Sequence, residues 1–164
     1  MIGTAGLAKA INTVWETSGL NAKFKALWSS VSSEFLVLND QEASPDQLWP
    51  YCVFEIGPGI TTDRMSGESD KSLWEIHDVP VTFNVHAMLV SGDSRTAKEI
   101  AAYLIEEIMK VFGGHPTTHP TPVVLDNGNF LITQYQNENC VRTGDNEYSW
   151  MVSYLFRLDV PVAV

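Results

Sequence analysis

The sequence contains few cysteines for its 164 residues, and this shortage excludes a fold held together by disulfides. The two cysteines, Cys52 and Cys140, both stand among residues typical of β-strands. A free thiol in such a place acts as a small apolar side chain. We therefore expect two free cysteines rather than a disulfide between them.

Long apolar runs are also missing from the sequence. No stretch approaches the roughly 18 consecutive apolar residues that a membrane-spanning helix needs. Residues 1–10 contain a single lysine and no apolar run of the length found in signal peptides. We therefore expect a soluble protein that is intracellular when made and has no membrane partner.

Basic residues are scarce, because 10 Lys and Arg stand against 20 Asp and Glu and give a net charge of −10. A surface this acidic repels phosphate, which disfavours sequence-specific binding of nucleic acid and docking on anionic membranes. It does not exclude DNA that passes through a conduit, since a conduit must not grip its contents. Hydrophobic residues make up 45% of the chain, so we expect a single domain over residues 1–164 with its own core.

Apolar residues at spacings of three and four predict two helical regions. The first is a broken or kinked N-terminal helix over about residues 4–32, interrupted at residues 17–19. The second covers residues 95–112 and has a wide apolar stripe, which we expect to be buried against a sheet. The stripe comprises Ala97, Ile100, Ala101, Leu104, Ile105, Ile108, Met109 and Phe112.

Five strands are predicted, over residues 51–56, 73–89, 123–125, 130–141 and 147–160. Residues 39–49 are polar and rich in turn-forming residues, so we expect a loop there. The order α, β, long β, α, β, β, β predicts an α+β fold. We expect a single mixed, mostly antiparallel sheet with the N-terminal helix and one long amphipathic helix packed on one face.

The strand over residues 73–89 is about three times the usual strand length. Part of it should extend beyond the core or join the sheet of another chain. Its apolar residues stand at even positions before His77 and at odd positions after Asp78. Because one extra residue swaps the faces of a strand, we predict a β-bulge near His77 and Asp78.

Residues 60–71 are polar and contain a Ser-Gly pair, which predicts an exposed arm or the tip of a long hairpin. We expect this arm to be mobile or to reach a neighbouring subunit. Ile60, Arg64 and Met65 are its predicted contact residues, because they are apolar or cationic in an otherwise polar and acidic segment.

Candidate catalytic residues are few. His115 and His119 stand four apart, but Pro116 and Pro120 forbid the helix that would present both to one metal ion. His77 and His86 have opposite parity on one strand, so they should face opposite sides unless the predicted bulge realigns them.

Other catalytic patterns are missing as well. The sequence has no Gly-x-Ser-x-Gly nucleophile elbow and no glycine-rich loop that begins a helix and could bind phosphate. The acidic pair of Glu106 and Glu107 lies off the apolar stripe, and we expect it to be solvated. The residues therefore predict neither an enzyme nor a metal or cofactor site, and they favour an interaction protein.

The order of elements resembles that of the tail-terminator, or tail-completion, proteins of long-tailed bacteriophages, over about residues 20–160. An N-terminal helix is followed by a strand led by Trp-Pro-Tyr, a polar arm, a long strand, a Ser-Gly-Asp-Ser turn, an apolar-striped helix and two closing strands. The central five of these elements cover residues 49–56, 60–71, 79–89, 91–94 and 95–112. The His-Pro-Thr segment at residues 115–122 and the extended N-terminal helix depart from the family pattern.

The resemblance implies a virion structural protein that forms a ring, of six subunits, on the last ring of the tail tube. Such a ring stops tube polymerisation and offers a surface for head–tail joining at the neck. The implied partners are further copies of this chain, the tail-tube protein, a neck or connector protein of the head, and phage DNA that passes through the lumen without specific binding. The implied location is the tail–neck junction of the virion, after synthesis in the host cytoplasm.

Two alternatives remain open from the sequence. Within the same class, the chain could be another head–tail connector or neck protein, a stopper or adaptor, which would bind the portal rather than the tube. From a different class, it could be a small metal-dependent hydrolase that uses His115 and His119.

Overall fold

The computed structural model describes residues 4–30, 32–66 and 73–162, where it contains three helices and seven strands. The helices are α1 (Thr4–Thr17), α2 (Leu20–Lys25) and α3 (Ala97–Phe112). The strands are β1 (Leu38–Asp40), β2 (Tyr51–Ile56), β3 (Ile60–Ser66), β4 (Leu73–Met88), β5 (Val123–Val124), β6 (Phe130–Gly144) and β7 (Glu147–Val162). None of these helices is long and apolar enough to cross a membrane.

The strands form one sheet in the order β1-β2-β4-β7-β6-β5, and β3 pairs with the first part of β4. β1 and β2 are parallel, whereas all the other pairs are antiparallel. The prediction of an α+β fold with one mixed, mostly antiparallel sheet is therefore confirmed.

The helices pack on one face of the sheet, which we call the inner face. Phe83 of β4 lies at its centre, with ring centroids 6.1 Å from Trp15 of α1 and 4.6 Å from Phe112 of α3. The odd positions of β4 from Val79 onwards and the even positions of β7 from Val152 to Phe156 are buried here. The opposite side of the sheet is called the outer face below.

The N-terminal helix is broken, as predicted, but it is shorter than predicted. Gly19 has a φ of 80°, in the left-handed region that favours glycine, and it separates α1 from α2. α2 ends at Lys25, whereas the prediction extended the helix to residue 32. The apolar spacing continues past Lys25 because Leu27 and Trp28 are buried in the core without being helical.

α3 begins at Ala97, two residues later than predicted. Thr96 is its N-cap, and its side chain accepts from the backbone N–H of Glu99 while the Glu99 carboxylate accepts from that of Thr96. At the other end, the hydroxyl of Tyr154 donates to the carbonyl of Gly113 at 2.7 Å. The sheet thus anchors the end of α3 that carries Phe112.

β1 overlaps the first two residues of the segment 39–49 that was predicted to be a loop, so that prediction is wrong at its start. The strand is only three residues long, Leu38–Asp40, and pairs in parallel with β2. A strand of three residues, two of them polar, is too short to show an alternation of apolar and polar positions. Its extended conformation depends on pairing with the backbone of β2, which the local sequence does not reveal.

β4 carries no bulge near His77 and Asp78, which corrects the prediction. Its pairing with β7 runs without interruption from Leu73 opposite Val162 to Met88 opposite Glu147. The irregularity falls on the partner strand β3, between Thr61 and Asp63. His77 and Asp78 are both buried, so both faces of the sheet are covered at this level and alternation cannot identify a single buried face.

The described part of the predicted arm, residues 60–66, is a strand of a hairpin, which was one of the two forms predicted for it. β3 pairs with the start of β4, and the end of β7 pairs with the same part of β4 on its other side. β3, the first part of β4 and the end of β7 therefore form a three-stranded part of the sheet. Residues 67–71, the rest of the predicted arm, lie outside the described residues.

Both cysteines are free, as expected. Cys52 and Cys140 lie in one row across the sheet, separated by Val85 and Trp150. Three strand spacings amount to about 14 Å, which is far beyond the reach of a disulfide.

Candidate functional site

The outer face of the sheet is the candidate interaction surface. The helices cover the inner face, and the outer-face side chains of β4 and β7 from Pro80 to Met88 and from Glu147 to Arg157 are half-exposed. One solvated face is ordinary for an antiparallel sheet. Each end of this face instead carries a distinctive group of side chains. One end has a cluster of exposed apolar residues, and the other has a cleft lined by aromatic and acidic residues.

The first region, the apolar end, lies where β5, β6 and β7 meet. Val124 is directly opposite Phe130, and Ile132 is two residues further along the same face of β6. The exposed fractions of Phe130 and Ile132 are 66% and 63%. Exposed apolar side chains that cluster in this way are typical of protein interaction sites.

A single row of residues connects the apolar end to the arm. Ile132 lies opposite Arg157, Arg157 opposite Asp78, and Asp78 opposite Ile60 on β3. Ile60 is 61% exposed. An ion pair between Arg157 and Asp78 thus stands between two exposed isoleucines, and the surface is continuous across four strands.

The second region is a cleft of about 430 Å³ between the β1–β2 connection and the outer face of β2 and β4, which we call the acidic cleft. Tyr51 and His86 are cross-strand neighbours whose rings stack at 4.8 Å with an interplanar angle of 17°. Trp49 stands nearly perpendicular to both, at 5.1 Å from Tyr51 and 6.1 Å from His86. Glu42 and Glu55 also line the cleft.

Burial sets the charge of the aromatic rings in the acidic cleft. It lowers the pKa of His86, so the imidazole is neutral at pH 7. Burial also raises the pKa of Tyr51, and the carboxylate of Glu147 adds to this rise. The rings of His86 and Tyr51 are therefore uncharged at neutral pH.

The predicted contact residues all lie on β3. Ile60 begins the strand and is exposed on the outer face, opposite Asp78. In the register with β4, Arg64 lies opposite Glu75 and Met65 opposite Trp74. The structure thus places the three on one arm of the sheet, and their role in contacts remains a prediction.

The histidines do not come together. His77 is buried, whereas His86 belongs to the outer face, so the uninterrupted β4 keeps them apart. Nε2 of His115 lies 3.3 Å from the carboxylate of Glu106, and His119 is exposed. Within residues 4–30, 32–66 and 73–162, no three His, Cys, Asp or Glu side chains are grouped so that they could hold a metal ion.

Glu107 corrects the expectation that the acidic pair is solvated. Glu106 is exposed, but the side chain of Glu107 is 8% exposed and accepts from Lys110 at 2.7 Å and from Lys23 of α2. Burial acts to raise the pKa of Glu107, but the hydrogen bonds from Lys110 and Lys23 outweigh it, and the pKa is lowered. This contact connects α2 to α3 and is structural.

Neither the acidic cleft nor the apolar end was predicted from the sequence. Tyr51 and His86 are 35 positions apart, and only the pairing register of β2 and β4 brings them together. Phe130 and Ile132 alternate with polar or buried residues, which is the pattern of any strand. The nearest signal was the Asn127-Gly128 hairpin turn, which sets the register of β5 and β6.

Comparisons with known proteins give weak likenesses. No family profile and no curated protein sequence matches the chain. A chain from the virion of a native gene transfer agent particle is 13% identical, with a TM-score of 0.44 over 95% of this chain and 93% of that chain. A second solved structure is 16% identical, with a TM-score of 0.40 over 92% of this chain and 94% of that chain. Values of this size establish neither a family nor a function.

Proposed function

We propose that this protein is a virion structural subunit that forms a ring of six copies and caps the tail tube of a phage-like particle. The observation that carries the proposal is the continuous outer-face row from Ile132 to Ile60, which joins an exposed apolar end to the first residue of β3. Such a surface fits assembly with neighbouring subunits better than it fits catalysis. The order of elements, which resembles that of tail-terminator proteins, supports the same reading.

The mechanism is competition for the growing end of the tube. A ring docks with equivalent contacts only when its symmetry matches that of the tube, so each subunit meets one tube subunit. The cap occupies the tube's growing face, and its other face offers no surface that a further tube subunit can bind. That other face then receives the neck or connector protein of the head.

The arm supplies the contact residues in this proposal. Ile60 is exposed at its base, and Arg64 and Met65 follow on the same strand. We assign these three residues to contacts with a tube subunit or a neighbouring ring subunit.

The charge of the chain suits the lumen of such a ring. A net charge of −10 on each subunit makes the ring strongly acidic, so phage DNA can slide through with little adhesion. Mutual repulsion also opposes self-association until the tube end supplies compensating contacts.

The experiment that tests the proposal measures the mass of the protein in solution and its particle shape by electron microscopy, alone and after mixing with tail tubes. Rings of six subunits, free or seated on tube ends, are expected. A protein that stays monomeric and leaves the tube ends bare contradicts the proposal. Binding to a portal or adaptor ring instead of the tube would identify a neck connector.

A further inference from the structure

The acidic cleft combines half-exposed aromatic rings with carboxylates. Among the residues that the structure describes, its lining includes Glu42 and Glu55 but no Lys or Arg. In the part of the chain that the structure describes, neither carboxylate forms an ion pair. Uncompensated negative charge therefore collects at one side of the outer face.

The aromatic corner of the cleft suits a flat cation. Trp49 is nearly perpendicular to the stacked pair of Tyr51 and His86, so the three rings form two walls of a corner. Ring faces carry negative electrostatic potential, and a cation within about 6 Å of a ring centroid is attracted to them. Because His86 is neutral at pH 7, it adds no positive charge that would repel a bound cation.

Hydrogen bonds within the protein hold the segment that forms one wall of the cleft. The backbone N–H of Gln41 donates to the carbonyl of Phe54 at 2.9 Å. The Gln47 side chain donates to the carbonyl of Leu36 at 2.8 Å. A site that is already ordered loses little conformational entropy on binding.

We propose that the acidic cleft binds an arginine side chain presented by a basic segment of a partner protein. A guanidinium stacks flat on aromatic faces and pairs with a carboxylate through a planar fork of two hydrogen bonds, whereas an ammonium is a point charge that offers neither geometry. Nucleic acid is the less suitable ligand, since its phosphates would be repelled by Glu42 and Glu55. The described lining contains no lysine or arginine that could offset this repulsion. The inference concerns a different surface from the arm and does not depend on the proposed ring.

The test measures the affinity of a fluorescently labelled Gly-Arg repeat peptide by anisotropy, using the full chain. Binding is located through the indole N–H signal of Trp49 in nitrogen-15 NMR, which the Trp49→Phe variant identifies. We expect saturable binding that shifts this signal. The double variant Glu42→Gln with Glu55→Gln should weaken binding about fivefold or more, because it removes the charge and keeps the shape.

The matched control is the double variant Glu16→Gln with Glu34→Gln, which removes the same charge from two exposed residues outside the cleft. Its affinity for the peptide should stay within about twofold of the original. Equal losses in both double variants, or an unmoved Trp49 signal, would overturn the proposal. A Gly-Lys peptide that binds equally well, or an oligothymidine that shifts the Trp49 signal, would also overturn it.

Discussion

The guanidinium of Arg157 donates to both carboxylate oxygens of Asp78, at 2.7 and 2.8 Å, across the outer face of the two central strands. The two residues lie directly opposite each other, where β3 begins to pair with β4. The Asp78 side chain is 7% exposed and that of Arg157 is 39% exposed. The pair therefore joins β4 to β7 at the base of the arm.

Replacing Arg157 by Met should lower the free energy of unfolding by about 1–3 kcal/mol, because the buried carboxylate loses both guanidinium donors. Arg157→Lys should lose less, since it keeps the charge. Urea denaturation measures both. Arg142→Met is the control, because its partner Asp145 is fully exposed, and it should change stability by no more than about 0.5 kcal/mol. Equal losses of unfolding free energy in Arg157→Met and Arg142→Met would show that the ion pair with Asp78 does not stabilise the fold.

The apolar stripe of α3 is part of the core, so replacing its large side chains by Ala should lower the stability of the protein. Leu104 and Ile108 are both fully buried. Replacing either by Ala should lower the free energy of unfolding by about 2–5 kcal/mol, through lost burial and the cavity left behind. Thermal or chemical unfolding measures the loss. Lys98→Ala on the exposed side of the same helix should change stability by less than about 0.5 kcal/mol. A stripe variant as mild as Lys98→Ala would mean that α3 does not pack on the sheet.

Glu107 should make stability depend on pH in the acid range. Its pKa in the folded protein is lowered from 4.5, so the folded state binds fewer protons than the unfolded state. The contribution of the carboxylate is thus fully present above pH 4.5 and is lost as the pH falls through the folded-state pKa. Glu107→Gln should cost about 1 kcal/mol at pH 7.

The matched variant for this prediction is Glu106→Gln on the neighbouring, exposed position. The stability gap between Glu107→Gln and the original protein should shrink as the pH falls below 4.5. Glu106→Gln should change stability at pH 7 by no more than about 0.5 kcal/mol, because this side chain is exposed. Unfolding curves recorded from pH 7 to pH 3 measure this gap. A gap that stays constant with pH would rule out the ionised carboxylate as its source.

The apolar end of the outer face should be needed for assembly. Ile132→Lys places a charge where the proposed ring needs an apolar contact, so rings should be lost while the fold is retained. Leu36→Lys is the matched control, since Leu36 is 67% exposed but lies beside α1 and α2. Sedimentation and circular dichroism measure mass and fold. Loss of rings in both variants, or in neither, would remove the apolar end from the interface.

Much of the fold could be predicted because apolar runs, alternation and turn residues are local signals. The strand over residues 51–56 matches β2, and the alternation in β7 from Val152 to Phe156 matches its buried face. The Asn127-Gly128 turn likewise matches the β5–β6 hairpin, where Gly128 has a φ of 82°. In each case the local sequence alone determines the conformation.

The remaining features depend on contacts between distant segments, and a single sequence does not reveal them. Glu107 is off the stripe of α3, but α2 packs beside it and buries its carboxylate. The aromatic corner exists only because β2 and β4 pair with Tyr51 opposite His86. The irregularity was predicted on β4 but lies on β3. β4 remains regular because it also pairs without interruption with β7 on its other side.

The length distribution of tail tubes assembled with and without this protein tests the central claim most directly. Purified tube protein should polymerise to uncontrolled lengths alone, and addition of this protein should stop growth and leave a ring on one end of each tube. Electron microscopy measures both the lengths and the ends. Tubes that keep growing to the same uncontrolled lengths in its presence, with no ring at either end, would contradict the account.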